Sequence, residues 1–159
     1  MMKLIVIFTF LLLLHNVYAD SVKIVFNGKA IHEEKKNFNE NNGGLGFEYD
    51  FEEKDHWINF VNGGFFKDSN SNNSNYLGVG LKRRFKFSEG ENALHFDAGF
   101  TAFMMTRKDF KNNQPFFGAL PYFSLGTNKF AINATYIPSV SPKLVSLWFF
   151  QATLTVATW

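Results

Sequence analysis

The chain has 159 residues, a formal net charge of +2, no cysteine, and 21 phenylalanines within an aromatic fraction of 18%. The length is that of one domain, the small net charge gives no reason to expect a nucleic-acid partner, and the lack of cysteine excludes a disulfide framework. So many aromatic rings in a small domain need an apolar environment, and a lipid-facing surface would provide one.

The first segment, MMKLIVIFTFLLLLHNVYAD, predicts a secretory signal peptide at residues 1–19. Lys3 supplies the positive start, Leu4–Leu14 the apolar stretch, and Val17–Ala19 a cleavage site with small residues where the peptidase needs them. The apolar stretch is too short for a transmembrane helix, and no later segment reaches that length. We expect the mature chain to occupy residues 20–159 as a single domain.

The mature chain alternates apolar and polar residues between turn-forming segments, which is typical of β-strands. We predict eight strands, near residues 22–31, 43–52, 56–66, 76–87, 93–106, 119–127, 129–137 and 146–157. Most have about the 9–11 residues that a tilted strand needs to cross a bilayer. No segment favours a helix.

A soluble β-sandwich and an outer-membrane β-barrel both show this alternation. In several consecutive strands one face carries charges, whereas the inner face of a sandwich would be apolar. The chain also ends on a strand with an aromatic residue, Trp159, as outer-membrane barrels commonly do. We therefore predict an all-β fold, an eight-stranded antiparallel transmembrane barrel in the outer membrane of a Gram-negative envelope. We expect it to be a monomer.

The connections predict the orientation of the barrel. The turns at 52–55, 88–92 and 127–128 are short, and the segments 32–42, 67–75, 107–118 and 138–145 are longer. In outer-membrane barrels the short turns are periplasmic and the long loops extracellular. Upward and downward strands then place each inward residue at a height in the barrel.

The predicted interior has two parts. Charged residues collect in the lower, periplasmic half, where they would form a polar plug: Glu48, Asp50, Lys82, Arg84, Lys86, His95 and Asp97. Glycines and apolar residues occupy the upper half: Gly44, Gly46, Gly78, Gly80, Thr101, Phe103 and Met105. These glycines either leave room for a slim apolar ligand such as an acyl chain, or relieve the curvature of a narrow barrel.

One set of residues at the extracellular rim could carry chemistry. Asp68 and Ser69 follow the third strand, and His32 is the one histidine of four that falls at this end of the mature chain. A general base, a hydroxyl and a supporting carboxylate suit acyl transfer, although Asp-Ser is also an ordinary turn sequence. Strict alternation from Val22 points His32 outward, and a bulge near Gly28 would turn it inward.

Four segments of the mature chain are distinctive: "FKDS" at 66–69, "GFTA" at 99–102, "LPYFSLG" at 120–126 and "TYIP" at 135–138. Together with the run "NENNGGLGFEYDF" at 39–51, they resemble the outer-membrane lipid A palmitoyltransferase family, PagP. The resemblance implies an acyltransferase that moves a palmitoyl-type chain from a phospholipid to lipid A, without metal or soluble cofactor.

The resemblance also implies site residues. His32, Asp68 and Ser69 match the catalytic residues, and Gly80 matches the glycine at the floor of the acyl cavity that sets chain length. Pro121 and Pro138 match prolines beside gaps in the strand ladder through which lipid enters the barrel, since proline cannot donate to the ladder. Two alternatives remain: a small barrel with a structural or adhesive role and no activity, or a lipid A deacylase.

Overall fold

A computed structural model describes residues 19–34, 37–90, 92–139 and 145–159, with side chains from residue 21 onward except at 111. The signal peptide predicted at residues 1–19 lies outside this part of the chain, except for Ala19, which begins the first strand. It therefore stays a prediction. Within the described ranges, no helix is both long enough and apolar enough to cross a membrane.

Eight antiparallel strands form one closed barrel, as predicted. They are β1 Ala19–His32, β2 Asn41–Phe51, β3 Trp57–Lys67, β4 Asn73–Lys86, β5 His95–Thr106, β6 Phe116–Gly126, β7 Phe130–Ile137 and β8 Leu147–Thr158. Each strand pairs with the next along the chain, and β1 pairs with β8 to close the sheet. A single closed sheet rules out the sandwich, and the predicted strand ends differ from the observed ones by only a few residues.

The outer face of the barrel is apolar. Every strand contributes at least one exposed large hydrophobic side chain, among them Phe26, Phe47, Phe65, Leu77, Phe100, Phe117, Ile132 and Leu154. Phe117 is 83% exposed and Phe100 is 69% exposed. An apolar surface that surrounds the molecule is far larger than the patches of a soluble monomer. It is the surface that a bilayer requires of a spanning barrel.

A bulge at Gly28 interrupts β1. The pairing register shifts between Asn27 and Lys29 against both β2 and β8. Before the bulge the odd-numbered residues face inward, with Val25 and Asn27 buried; after it Ala30 is buried and Ile31 is exposed. One extra residue reverses the parity of the strand, so His32 faces the interior.

The lower interior is a network of paired charges, as the sequence predicted, except that Lys86 is exposed and lies outside the network. Lys82 Nζ donates to Glu48 Oε1 at 2.7 Å and to Asp50 Oδ1 at 2.8 Å. Lys23 Nζ donates to the same two carboxylates at 2.9 and 2.7 Å. Arg84 makes two 2.9 Å bonds to Asp97. Each buried charge thus has a partner of opposite sign, which buried charges need.

The space beside the interior glycines is filled. A Cβ on Gly44 would lie 2.0 Å from the Phe65 carbonyl oxygen, because the β2 and β3 backbones approach closely there. A Cβ on Gly78 would lie 2.6 Å from Asn62 Oδ1, and one on Gly80 would lie 2.3 Å from Cζ of Phe60. These glycines therefore accommodate close neighbours rather than leaving open room beside themselves.

Candidate functional site

His32 and Ser69 form a hydrogen-bonded pair at one rim of the barrel. His32 is the last residue of β1, and Ser69 lies in the loop that follows β3. The distance from His32 Nε2 to Ser69 Oγ is 2.9 Å, and the His32 side chain is only 3% exposed. This is the spacing of a general base and the hydroxyl whose proton it can accept.

The other side of the imidazole faces an acidic residue. Glu40 Oε1 lies 3.9 Å from His32 Nδ1, and this buried nitrogen has no hydrogen-bond partner among the described residues. Phe38 stacks on the ring with centroids 4.3 Å apart. With the proton on Nδ1, toward Glu40, Nε2 is free to accept from Ser69. Neither Glu40 nor Phe38 was among the predicted site residues, because nothing in their local sequence marks them.

The Asp68 carboxylate organises the loop that carries Ser69. Its Oδ1 accepts the backbone N–H groups of Asn70 and Asn72, both at 2.9 Å, and its Oδ2 accepts the Ser74 hydroxyl at 3.3 Å. Asp68 is 1% exposed. A carboxylate that binds backbone two and four residues ahead fixes a turn. The structure thus places Asp68 behind the His32–Ser69 pair, as a support for its geometry.

Asn39 ties the first loop to the same turn. Its backbone N–H donates to the Ser69 carbonyl at 2.8 Å, and its side-chain amide donates to the Asp68 carbonyl at 3.2 Å. The segment that carries Phe38 and Glu40 is therefore attached directly to the segment that carries Ser69. The hydroxyl that contacts the imidazole of His32 and the segment that packs on its other side are therefore held together by hydrogen bonds.

A third loop reaches the site through Arg107. Its guanidinium binds the Asp109 carboxylate at 3.0 and 2.7 Å, and Asn70 Nδ2 donates to the same carboxylate at 2.8 Å. Partial burial acts to raise the pKa of Asp109, but the bonds from Arg107 outweigh it and hold that pKa below its usual range. Asp109 therefore stays ionised and links the loop after β5 to the loop of Ser69.

A narrow apolar cavity of about 80 Å³ opens beside Ser69, and His32 lies behind Ser69, outside the set of lining residues. Asp68, Ser69 and Arg107 line its mouth, and Asn62, Thr101, Tyr122 and Gln151 are the lining residues farthest from this rim on their strands. Most of the remaining wall is apolar: Ala30, Phe66, Phe103, Met105, Leu120, Ile137, Leu147 and Phe149. A slot with a polar mouth and an apolar wall suits a molecule with a polar head and a hydrocarbon tail.

The strand ladder is open beside the cavity. The pairing of β6 with β7 runs only from Tyr122–Thr135 to Gly126–Ala131, although β6 begins at Phe116 and β7 continues to Ile137. Pro121 stands where the pairing stops, and its carbonyl accepts the Thr135 hydroxyl. Leu120, Thr135 and Ile137 line the cavity from this side. The gap therefore lies between the apolar interior and the apolar outer surface.

The predicted site residues do not all lie together. His32, Asp68 and Ser69 share one rim, Pro121 borders the gap, and Pro138 directly follows the end of β7. Gly80 is not among the residues that line the cavity, because the ring of Phe60 lies against it. Sequence alternation located Gly80 on the inner face but could not indicate which ring would cover it.

Known proteins to which this chain is similar include a curated relative and two solved barrels. "Lipid A acyltransferase PagP" of Methylobacillus flagellatus is 37% identical over 73 residues, which are 46% of this chain and 38% of that protein. The aligned segment thus spans well under half the length of the relative.

The attachment invasion locus protein Ail of Yersinia pestis is 15% identical at a TM-score of 0.46, covering 87% of this chain and 98% of Ail. The N-terminal barrel of Pseudomonas aeruginosa OprF is 12% identical at a TM-score of 0.47, covering 86% and 96%. At these identities and TM-scores the likeness says nothing about activity.

The family model described as "Antimicrobial peptide resistance and lipid A acylation protein PagP" matches residues 15–151. The match includes all the strands except the last part of β8, and it includes His32, Asp68, Ser69, the cavity and the gap between β6 and β7. The chain belongs to the PagP family.

Proposed function

We propose that this protein is an outer-membrane acyltransferase that moves a palmitoyl-type chain from a phospholipid to lipid A. The observation that carries the proposal is the 2.9 Å contact between His32 and Ser69 at the mouth of an apolar cavity. The family description names lipid A acylation, and the curated relative is named a lipid A acyltransferase.

The reaction needs only proton transfer and a well-placed ester. The bond between the acyl carbonyl carbon and the glycerol oxygen of the donor breaks, and a bond from that carbon to a lipid A hydroxyl forms. His32 Nε2 accepts the proton of the attacking hydroxyl and returns it to the departing glycerol oxygen. The attacking hydroxyl belongs either to lipid A directly or first to Ser69, which would then carry the acyl group. Neither route requires a metal or a soluble cofactor.

The donor chain would reach the cavity through the gap between β6 and β7. Leu120 and Ile137 would contact it on the way, and Pro121 and Pro138 would keep the neighbouring backbone free of ladder bonds. An acyl chain that moves sideways from the bilayer into an apolar cavity never crosses water, so its transfer carries little hydrophobic cost. The polar ester would remain at the rim beside His32.

We place the protein in the outer membrane as a monomer, with the His32 rim at the extracellular surface. The apolar belt on every strand requires lipid around the whole barrel. Apart from the short gap between β6 and β7, a closed barrel has no strand edge through which a second copy would pair. Its partners would be the phospholipid donor and the lipid A acceptor, and no nucleic acid.

Mass spectrometry of lipid A tests the proposed function. We expect lipid A from Gram-negative cells that express the chain to gain one acyl group, with the outer-membrane fraction containing the folded barrel. A deacylase would lower the mass, because water would replace the acceptor hydroxyl at the same pair. An unchanged mass with folded protein present would favour a structural or adhesive barrel and contradict the proposal.

Two substitutions at Asp68 separate support of the loop from direct participation of its charge. Asp68→Ala removes three accepted hydrogen bonds, so we expect transfer to fall by about 10²-fold, the cost of a misplaced catalytic group. Asp68→Asn keeps an oxygen for the two backbone donors and should lose less than about tenfold. Rates of transfer to lipid A in detergent measure both. Equal losses in the two variants would instead assign the charge of Asp68 a direct part.

A further inference from the structure

The deepest part of the acyl cavity is closed by aromatic rings rather than by the glycine expected there. Phe60 and Gly80 are directly opposite each other in the pairing of β3 with β4. Because Gly80 has no side chain, the ring of Phe60 lies over it, with Cζ 2.3 Å from where a Cβ would be. Phe60 is 1% exposed, so the ring fills this layer of the barrel.

Tyr122 completes the closure from the other wall. Its ring centroid lies 4.9 Å from that of Phe60, and its hydroxyl donates to Glu48 Oε2 at 2.8 Å. Tyr122 lines the cavity, whereas Phe60 and Gly80 do not. The Tyr122 ring thus faces the cavity with Phe60 packed against it, and we call these two residues the ring pair.

The charged plug fixes the ring pair from below. Lys82 Nζ lies 4.8 Å from the centroid of Phe60 and 5.4 Å from that of Tyr122. The same ammonium is bonded to Glu48 and Asp50, and it is fully buried. A cation over two ring faces holds those rings in place. The ring pair therefore separates an apolar cavity above from paired charges below, which a hydrocarbon chain could approach only by desolvating them.

We propose that the ring pair, and not Gly80, ends the acyl cavity and sets the length of the chain that this protein transfers. The chain selected is then shorter than one that would extend to Gly80. Gly80 contributes indirectly, because its missing side chain makes the space in which the Phe60 ring lies. This inference rests on the proposed function for its substrate, an acyl chain of a phospholipid.

Truncation of Phe60 tests the floor. With a mixture of saturated phosphatidylcholines from decanoyl to stearoyl as donors and lipid A as acceptor, mass spectrometry gives the chain that purified protein transfers. We expect Phe60→Ala to move the preferred chain upward by about four carbon atoms, because the Tyr122 ring that faces the cavity then loses the ring against which it packs and can turn into the vacated space. The next inward-facing residue on a strand is two positions further, a rise of roughly 6.6 Å along the strand and less along the axis of a tilted barrel. Each methylene spans roughly 1.3 Å, given a C–C bond of about 1.5 Å, so this distance corresponds to about four carbon atoms.

Matched variants make the result specific. Phe100→Ala removes the same side chain from the outer surface of β5, where it is 69% exposed, and should leave the preferred chain unchanged. Adding Gly80→Met to Phe60→Ala should shorten the chain again, because the new side chain enters the vacated space. Phe60→Leu gives a smaller upward shift and serves if the alanine variant does not fold. An unchanged profile in folded Phe60→Ala or Phe60→Leu overturns the proposal.

A binding measurement separates failure of this inference from failure of the proposed function. Affinity for saturated alkylphosphocholines should rise roughly fourfold for each methylene that enters the cavity, until the chain meets the floor. The chain length at which the rise stops should increase in Phe60→Ala and stay the same in Phe100→Ala. This holds even if the wild-type protein transfers no acyl group. The same stopping point in all three proteins would show that the ring pair is not the floor.

Discussion

Ser69→Ala should abolish measurable acyl transfer, with a loss of about 10²–10⁴-fold, while the barrel stays folded. The hydroxyl lies 2.9 Å from His32 Nε2, so its removal leaves the base without the group it faces. His32→Ala should lose activity to a similar extent. Because the two side chains act as a unit, the double variant should be little worse than either single one. Transfer rates in detergent with a defined donor and lipid A measure all three.

The control for this experiment is Ser71→Gly. Ser71 lies two residues further along the same loop, is exposed, and has a φ of 62°, which glycine adopts without strain. Removing its hydroxyl should leave the transfer rate within about twofold of wild type, because Ser71 does not face His32 and the replacement keeps the loop backbone unstrained. Transfer that survives Ser69→Ala undiminished would show that this hydroxyl has no part in the reaction and that His32 acts on the acceptor alone.

Lys82→Met should have the largest effect on stability, lowering the free energy of unfolding by about 3–5 kcal/mol. Methionine removes the ammonium that lies between Glu48 and Asp50, and Lys23 alone would then face two buried carboxylates. Breaking a buried ion pair on one side leaves an uncompensated charge, which costs more than the pair itself contributes. Unfolding by guanidinium in detergent micelles, followed by circular dichroism, measures the difference.

Lys86→Met is the matched control for Lys82→Met. Lys86 lies on the same strand and pairs with Glu53 at 2.9 Å, but its side chain is 41% exposed. A solvent-exposed pair contributes little, so we expect a loss below about 1 kcal/mol. If both variants lose the same free energy, the buried network does not hold the lower barrel together, and the support that it gives the ring pair would also be in doubt.

Most of the fold could be read from local patterns. Alternation with a period of two located all eight strands, and the charged faces of β2, β4 and β5 turned out to be the inner faces. Both features are local, because a strand presents its residues alternately whatever its partners are. The rim position of Asp68 and Ser69 followed from the end of β3 for the same reason.

The sequence by itself thus determined the strands, the face of each residue within an uninterrupted strand, and the rim on which the site lies. Only the tertiary structure decided that His32 points inward, because the bulge at Gly28 depends on unequal residue counts between β1 and both of its neighbours. Only the tertiary structure also brought Glu40 to the imidazole and Phe60 over Gly80. These contacts join residues that are distant in the sequence. Their distances depend on the pairing register and on barrel closure, which the alternation of residues along a single strand does not specify.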